Sequence, residues 1–459
     1  MGGGRRPQGG AHARRAPGRP LQRGSARGAG PRERRHWRRP GWCDRRVDGA
    51  GIGSIHGCGQ WRLRPRRRRP QDLAAARRCG LARERPAARN SAGHARDAAG
   101  RPLTQLLRWA EIDLGAVREN AARILAHLPK GTRLMAVVKA NGYGHGAVPA
   151  ARAAIRGGAT WLAVATLDEA RELTGLVHAE RILVMGGMVP DQAPAATVSG
   201  FSIAVSSPGF ARALGDGEEV VPVHLKIDTG MGRFGVSPDD AQSLAKLIND
   251  SAGLRLAGTW THFASAGTDE KMTRAQYERF LRAMESLGVD PGLRHACNSA
   301  AALRYPEMAL DAVRAGIALY GCEWPGASPA LSLRSVVTHV KTVAAGHGVG
   351  YGATWVAGAP ARVATVAIGY ADGISRARGN RGHVLVRGQE APLIGAVSMD
   401  AITIDVTGVS DVAVGDVVTI IGADGDQRVT AEQVADWSNT ISYEVLTAIG
   451  SRVKRRYSE

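Results

Sequence analysis

The chain has 459 residues, enough for two or three domains with cores of their own. Its formal charge of +20, from 61 Lys and Arg against 41 Asp and Glu, suggests a nucleic-acid partner only until that charge is located. Residues 1–100 hold 26 Arg, no Lys and six acids and carry the whole excess, whereas the other 359 residues hold 35 basic and 35 acidic residues and are balanced.

The leader, residues 1–101, is rich in Gly, Pro and Ala and contains neither Phe nor Tyr. It offers too little apolar surface to offset its chain entropy, so disorder is expected there. Its arginine runs, such as residues 66–69, could neutralise phosphates. Arg used to the exclusion of Lys is also what GC-rich DNA yields when translated upstream of a true start. The readings, in order, are a mis-assigned start, a disordered tail and an RNA-binding arm, so nucleic acid is not the expected partner. No apolar core follows the paired arginines, so neither a secretory nor a twin-arginine signal is expected, and no stretch is long and apolar enough to span a membrane. Beyond the leader only Cys297 and Cys322 remain, too few for a disulfide framework and without metal-ligand spacing. A reducing cytoplasm and no bound metal are expected.

From residue 102 onward the pattern alternates. A helical stretch at 114–128 leads into a strand at 134–139, and further short apolar runs follow at 161–166, 181–185, 201–205, 223–228, 256–263, 293–298 and 313–320. Amphipathic or Ala-rich stretches separate most of them. Eight strands alternating with helices predict an α/β fold, a TIM-like (β/α)8 barrel over residues 102–335, with a doubly wound sheet as the competitor. After residue 332 the runs become short and β-branched, at 336–344, 362–368, 383–386, 392–397, 402–406 and 417–421. They predict a C-terminal mainly-β domain over 336–459, with which residues 102–107 pair.

The unusual polar residues fall at the C-terminal ends of the barrel strands, where such barrels place their chemistry. Residues 137–146 read Val-Val-Lys-Ala-Asn-Gly-Tyr-Gly-His-Gly, so the first barrel strand delivers Lys139 to the mouth. A strand ending on a solvated lysine is the plain alternative, but a desolvated lysine there is a Schiff-base nucleophile. The fifth strand runs into Lys226 and Arg233, the sixth ends at His262, the seventh passes His295 into Asn298 and Ser299, and the eighth carries Arg314. Ser299 with Gly316 and Ile317 suits a phosphate cradle. A lysine facing such a cradle suggests pyridoxal 5′-phosphate, with Arg314 as partner of the ring nitrogen. A phosphosugar enzyme with a lysine is the alternative within the barrel class.

These segments, with Gly350-Tyr351-Gly352-Ala353-Thr354, Gly369-Tyr370-Ala371-Asp372-Gly373 and Ser398-Met399-Asp400, resemble the bacterial alanine racemases, fold-type III pyridoxal-phosphate enzymes, from about Arg108 to Tyr457. The resemblance implies racemisation of L- and D-alanine by two bases, supplying D-alanine for peptidoglycan. Lys139 would hold the cofactor and serve the D face of the substrate, and Tyr351 would serve the L face from the other subunit of a homodimer. It further implies that Tyr143 and Ser299 contact the cofactor phosphate, with the Gly316 and Ile317 backbone completing the cradle. Arg233 would bind the cofactor's phenolic oxygen and the substrate carboxylate, which Met399 of the second subunit would meet through its N–H. His262 would assist Tyr351, His295 would orient Arg314, and Lys226 matches a lysine carbamylated in many members. A tyrosine that many members carry near the C-terminus is Ser451 here. That departure leaves open a broader-specificity amino-acid racemase on the same scaffold.

Overall fold

The computed structural model describes residues 106–459, so expectations for the leader lie outside the described residues. Eight strands form the barrel: β2 (Arg133–Val137), β3 (Trp161–Val164), β4 (Ile182–Val184), β5 (Ser202–Val205), β6 (Val221–Lys226), β7 (Leu254–Trp260), β8 (Leu293–His295) and β9 (Ala312–Ala315), preceded by β1 (Arg108–Asp113). All neighbouring barrel strands are parallel, in the order β8-β7-β6-β5-β4-β3-β2-β9. Strands β3, β4 and β5 are buried along their whole length, the signature of strands covered on both faces. Between β8 and β9 the ladder gives way to single bonds, Asp311 N–H to the Arg294 carbonyl (3.0 Å) and Arg314 N–H to the Cys297 carbonyl (2.9 Å). The Arg294–Asp311 ion pair (2.8 Å) closes the outer end of this seam. The barrel is therefore nearly closed.

The expected strand positions recur, but several strands stop short. β2 ends at Val137 rather than at Lys139, and β9 ends at Ala315, after which Ile317–Tyr320 is a 3-10 turn. After β9 it is Gly316 that releases the chain from the ladder, whereas after β2 the chain leaves it through Val138 and Lys139.

The second sheet has nine strands and takes in residues on the barrel side of position 336. β10 (Leu331–Val343) pairs antiparallel with β1 through its first half and with Ala361–Val366 through its second. Among the described residues, the strand that pairs near the start of the chain is Arg108–Asp113; residues 102–105 of the expected segment lie outside the described residues. β1 also pairs in parallel with the C-terminal strand Lys454–Ser458, which no sequence pattern announced. Val417–Asp424 bonds both to β10 and to His383–Val386, so six strands close on themselves. Register shifts at Leu333/Arg334 and Val337/His339 supply the bends such closure needs. Asp113 ends β1 and caps the helix Leu114–His127, its carboxylate accepting from Ala116 N–H at 2.8 Å. One side chain thus couples sheet to barrel. Among the described residues, no helix is long and apolar enough to cross a membrane.

Candidate active site

Beyond β2 the backbone makes a left-handed turn, with Ala140 (φ 52°), Asn141 (52°), Gly142 (62°) and Tyr143 (53°) in succession. Each non-glycine in that region costs ~1–2 kcal/mol, so the turn persists only because it is tied down. Gly142 N–H donates to the Val138 carbonyl (2.8 Å), Gly146 N–H to the Asn141 carbonyl (2.8 Å), and Ala147 N–H to Asn141 Oδ1 (3.0 Å). Glu169 adds an external tie, accepting from Ala140 N–H and from Ala165 N–H, each at 2.7 Å. Its sequence signal, the capping box Thr166-x-x-Glu169, was readable, but only as a helix start.

The turn presents Lys139 and Tyr143 to a cavity of about 480 Å³, which His262, Ser299, Arg314, Gly316 and Ile317 also line. Lys139 is half-buried. Burial and then the Arg233 charge lower its pKa against the opposing Glu169, favouring the free amine. Tyr143 is buried, and a Cβ on Gly316 would stand 2.4 Å from its hydroxyl oxygen, so glycine alone lets the phenol approach that backbone. Ser299 Oγ accepts from Gly316 N–H (2.9 Å), and Asn298 caps the short helix that Ser299 opens, accepting from Ala301 N–H (3.0 Å). Hydroxyls and backbone amides from the ends of β8 and β9 thus converge on one small region beside the barrel seam.

Arg314 lies beneath, 3% exposed, and among the described residues no carboxylate pairs with it. Its Nη1 donates to His295 Nδ1 (2.9 Å) and the His295 carbonyl (3.0 Å). Its Nη2 donates to the Thr261 and Ala296 carbonyls (2.9 and 3.0 Å) and to His262 Nδ1 (3.2 Å). The guanidinium also stacks 4.8 Å over Trp260. Because a guanidinium only donates, both histidines must accept at Nδ1 and carry their proton on Nε2. His295 Nε2 then donates to His224 Nδ1 at 2.8 Å. Burial first, then the Arg314 charge, push the pKa of His295 and His262 far below the usual imidazole range. His224 falls to about 3 through burial, then through Arg255 and Arg314. Arg314 itself is lowered by burial to about 10 and stays charged at neutral pH.

Lys226, at the end of β6, is brought down to about 7 by burial and then by Arg314. Its ammonium lies 4.7 Å over the Trp260 ring and donates to the Ile227 carbonyl (3.1 Å). Arg233 sits exposed on the following loop, 5.3 Å over Phe234. Asp228 shapes that loop by accepting from the amides of Gly230, Met231 and Gly232.

Five expected site residues are not in the wall of this cavity within one chain: Lys226 and His295, buried around Arg314 and Trp260, Arg233 on its exposed loop, and Tyr351 and Met399. Tyr351 is 74% exposed and Met399 52% exposed, both on the β sheet domain. Conversely, Tyr443 and Thr447, from the helix Ser442–Thr447, form part of the cavity wall, and the Tyr443 ring lies 6.0 Å from that of Tyr143. Ser451 is exposed and is not part of that wall, so the C-terminal tyrosine at this cavity is Tyr443. Nothing in a six-residue helix with one tyrosine distinguishes it from packing. A larger cavity of about 860 Å³ lies between barrel and sheet, but it holds neither Lys139 nor Arg314. Chemistry, not size, locates the site.

Residues 112–323 match the family model for the alanine racemase N-terminal domain, and residues 330–457 match that for the alanine racemase C-terminal domain. An alanine racemase of Symbiobacterium thermophilum is 42% identical over 364 residues, covering 76% of this chain and 96% of the relative. The solved structure of alanine racemase from E. faecalis superposes with a TM-score of 0.73 at 37% identity, covering 77% of this chain and 99% of that one. That from the D-cycloserine-producing Streptomyces lavendulae gives 0.70 at 39% identity, over 77% and 97%.

The buried histidine pair fixes a pH dependence. The folded-state pKa of His224, about 3, lies below its unfolded value near 6.5. Its stabilisation is therefore complete above pH 6.5 and is lost as pH falls, because unfolding takes up a proton. His224→Asn should make the pH slope of unfolding free energy between pH 4 and 6 shallower by about one proton, or ~1.4 kcal/mol per pH unit. Equal slopes in urea titrations of the two proteins would refute the buried neutral histidine.

Proposed function

The chain belongs to the alanine racemase family, and from that premise we propose how its residues divide the interconversion of L- and D-alanine. The observation carrying the proposal is that Arg314, buried and bonded only to neutral acceptors, shares one cavity with Lys139. That donor set fits pyridoxal 5′-phosphate. Lys139 would hold it covalently, and Arg314 would face its ring nitrogen. Tyr143, Ser299 and the Gly316 and Ile317 amides would hold its phosphate, while Arg233 would take its phenolic oxygen and the substrate carboxylate. Bound there, the cofactor supplies an electron sink that acidifies the substrate Cα–H. Arg314, charged at neutral pH, would donate to the ring nitrogen and hold it unprotonated, which would moderate that sink and disfavour side reactions such as transamination.

Racemisation requires a proton to leave one face of Cα and return on the other, hence two bases. Lys139, with its amine favoured over its ammonium, serves the D face. Tyr351 serves the L face. A phenol titrates near 10 and needs support to act as a base. His262 can give it, since Nδ1 accepts from Arg314 and leaves the Nε2–H free to donate. Because Tyr351 and Met399 point to solvent in the single chain, each site takes them from a second copy. A homodimer with two shared sites follows from this reading. Lys226, its pKa brought down by burial to about 7, would be open to carbamylation and would then pair with Arg233. In the cell the product would be D-alanine for peptidoglycan, made in the cytoplasm.

Lys139→Ala should abolish both racemisation and the visible absorbance of lysine-bound cofactor; retained turnover would end the proposal. Tyr351→Phe should slow first-turnover loss of the α-deuterium of L-alanine by about 10²–10⁴-fold and that of D-alanine far less. Equal losses from both enantiomers would contradict the assignment of faces.

A further inference from the structure

The Met399 amide can serve a substrate carboxylate only if its loop is held still, and the backbone around it is fastened on one side. Tyr370 N–H donates to the Ser398 carbonyl and Ala371 N–H to the Met399 carbonyl, both at 3.0 Å. Gly369 lies so close that a Cβ would meet those two carbonyl oxygens at 2.3 and 2.4 Å. Among the described residues, the Met399 N–H itself has no acceptor. The carbonyls are anchored and the donor is left open.

What fixes Gly369–Gly373 in turn is Asp372, whose side chain is fully buried. Its Oδ2 accepts from Gly369 N–H (3.0 Å), and its Oδ1 pairs with Arg108 Nη1 (2.8 Å) at the start of β1. The same Oδ1 pairs with Arg452 Nε (3.2 Å). Arg452 is half-exposed and reaches onward: its Nη2 pairs with Asp400 Oδ1 at 2.7 Å, one residue past Met399. A single guanidinium thus bridges a buried carboxylate in the turn Tyr370–Asp372, itself paired to Arg108 of β1, to a carboxylate on the loop. A planar fork can span two carboxylates in this way, which an ammonium cannot.

We infer that Arg452 is a positioning residue that clamps the Met399–Asp400 loop to Asp372 and thereby aims the Met399 N–H at the carboxylate of a substrate bound to the partner subunit. The inference rests on the role proposed above for Met399. It assigns substrate affinity, not proton transfer, to a residue more than fifty positions away in sequence.

The test uses the full-length holoenzyme and two readouts, the kcat and KM for alanine and the inhibition constant of acetate, which carries a carboxylate and nothing to racemise. Arg452→Gln should raise the alanine KM and the acetate constant together by about tenfold, with kcat within about twofold. Arg452→Lys should fall between, and Asp400→Asn, which leaves the buried Asp372 pair intact, should reproduce part of the effect. Met399→Pro removes the amide itself and sets the upper limit. If Met399→Pro raises both constants while Arg452→Gln leaves them unchanged, or lowers kcat alone, the clamp is wrong and the Met399 contact stands. If Met399→Pro changes neither constant, the contact is wrong and the clamp falls with it.

Discussion

A buried guanidinium without a carboxylate governs the barrel mouth. Pairing Arg314 with an acid would neutralise it, whereas here its charge is met only by carbonyl oxygens, two imidazole nitrogens and the face of Trp260. Such an arrangement keeps the field of a full positive charge inside a medium that screens it weakly. The consequences run outward. His295 and His262 are held neutral, their tautomers are dictated, and Lys226 is brought to about 7. A cation that imposes neutrality on its neighbours suits a site whose working groups must release protons and take them back.

The second constraint is conformational. Lys139 is placed not by the strand that leads to it but by the left-handed turn that follows, which spends backbone energy to bring Lys139 and Tyr143 to one cavity. Glu169 and Asn141 hold that turn from outside and inside. The cradle formed by Ser299 and Gly316 sits where the barrel ladder is interrupted between β8 and β9, and there Gly316 N–H, released from strand pairing, bonds the Ser299 hydroxyl.

Much of this was legible in the sequence, because periodicity reports burial and barrel strands are buried on both faces. All eight strand positions and the clustering of Lys139, His262, His295, Ser299 and Arg314 at one mouth follow from that pattern. Strand ends were not legible: the decapeptide read as a strand carrying Lys139, and only its glycines hinted at the turn. Long-range contacts were equally silent. The parallel pairing of Arg108–Asp113 with Lys454–Ser458 joins chain segments over 300 residues apart, and neither alternates strongly enough to announce its partner. Tyr443 was missed for the same reason, since a tyrosine on a short helix reads as packing until the cavity is seen. Ser451, singled out instead, lies in solvent.

In the proposed division of roles, with Lys139 in the cavity and Tyr351 exposed, one chain is half of a catalytic unit, and mixing subunits tests that division most directly. Homodimers of Lys139→Ala and of Tyr351→Phe are each expected to be inactive. After subunit exchange the heterodimer has one site with both defects and one with neither. Activity should therefore return to about a quarter of the wild-type level at equal mixing. If exchange is verified and no activity returns, lysine and tyrosine belong to the same chain's site and the shared-site account is wrong.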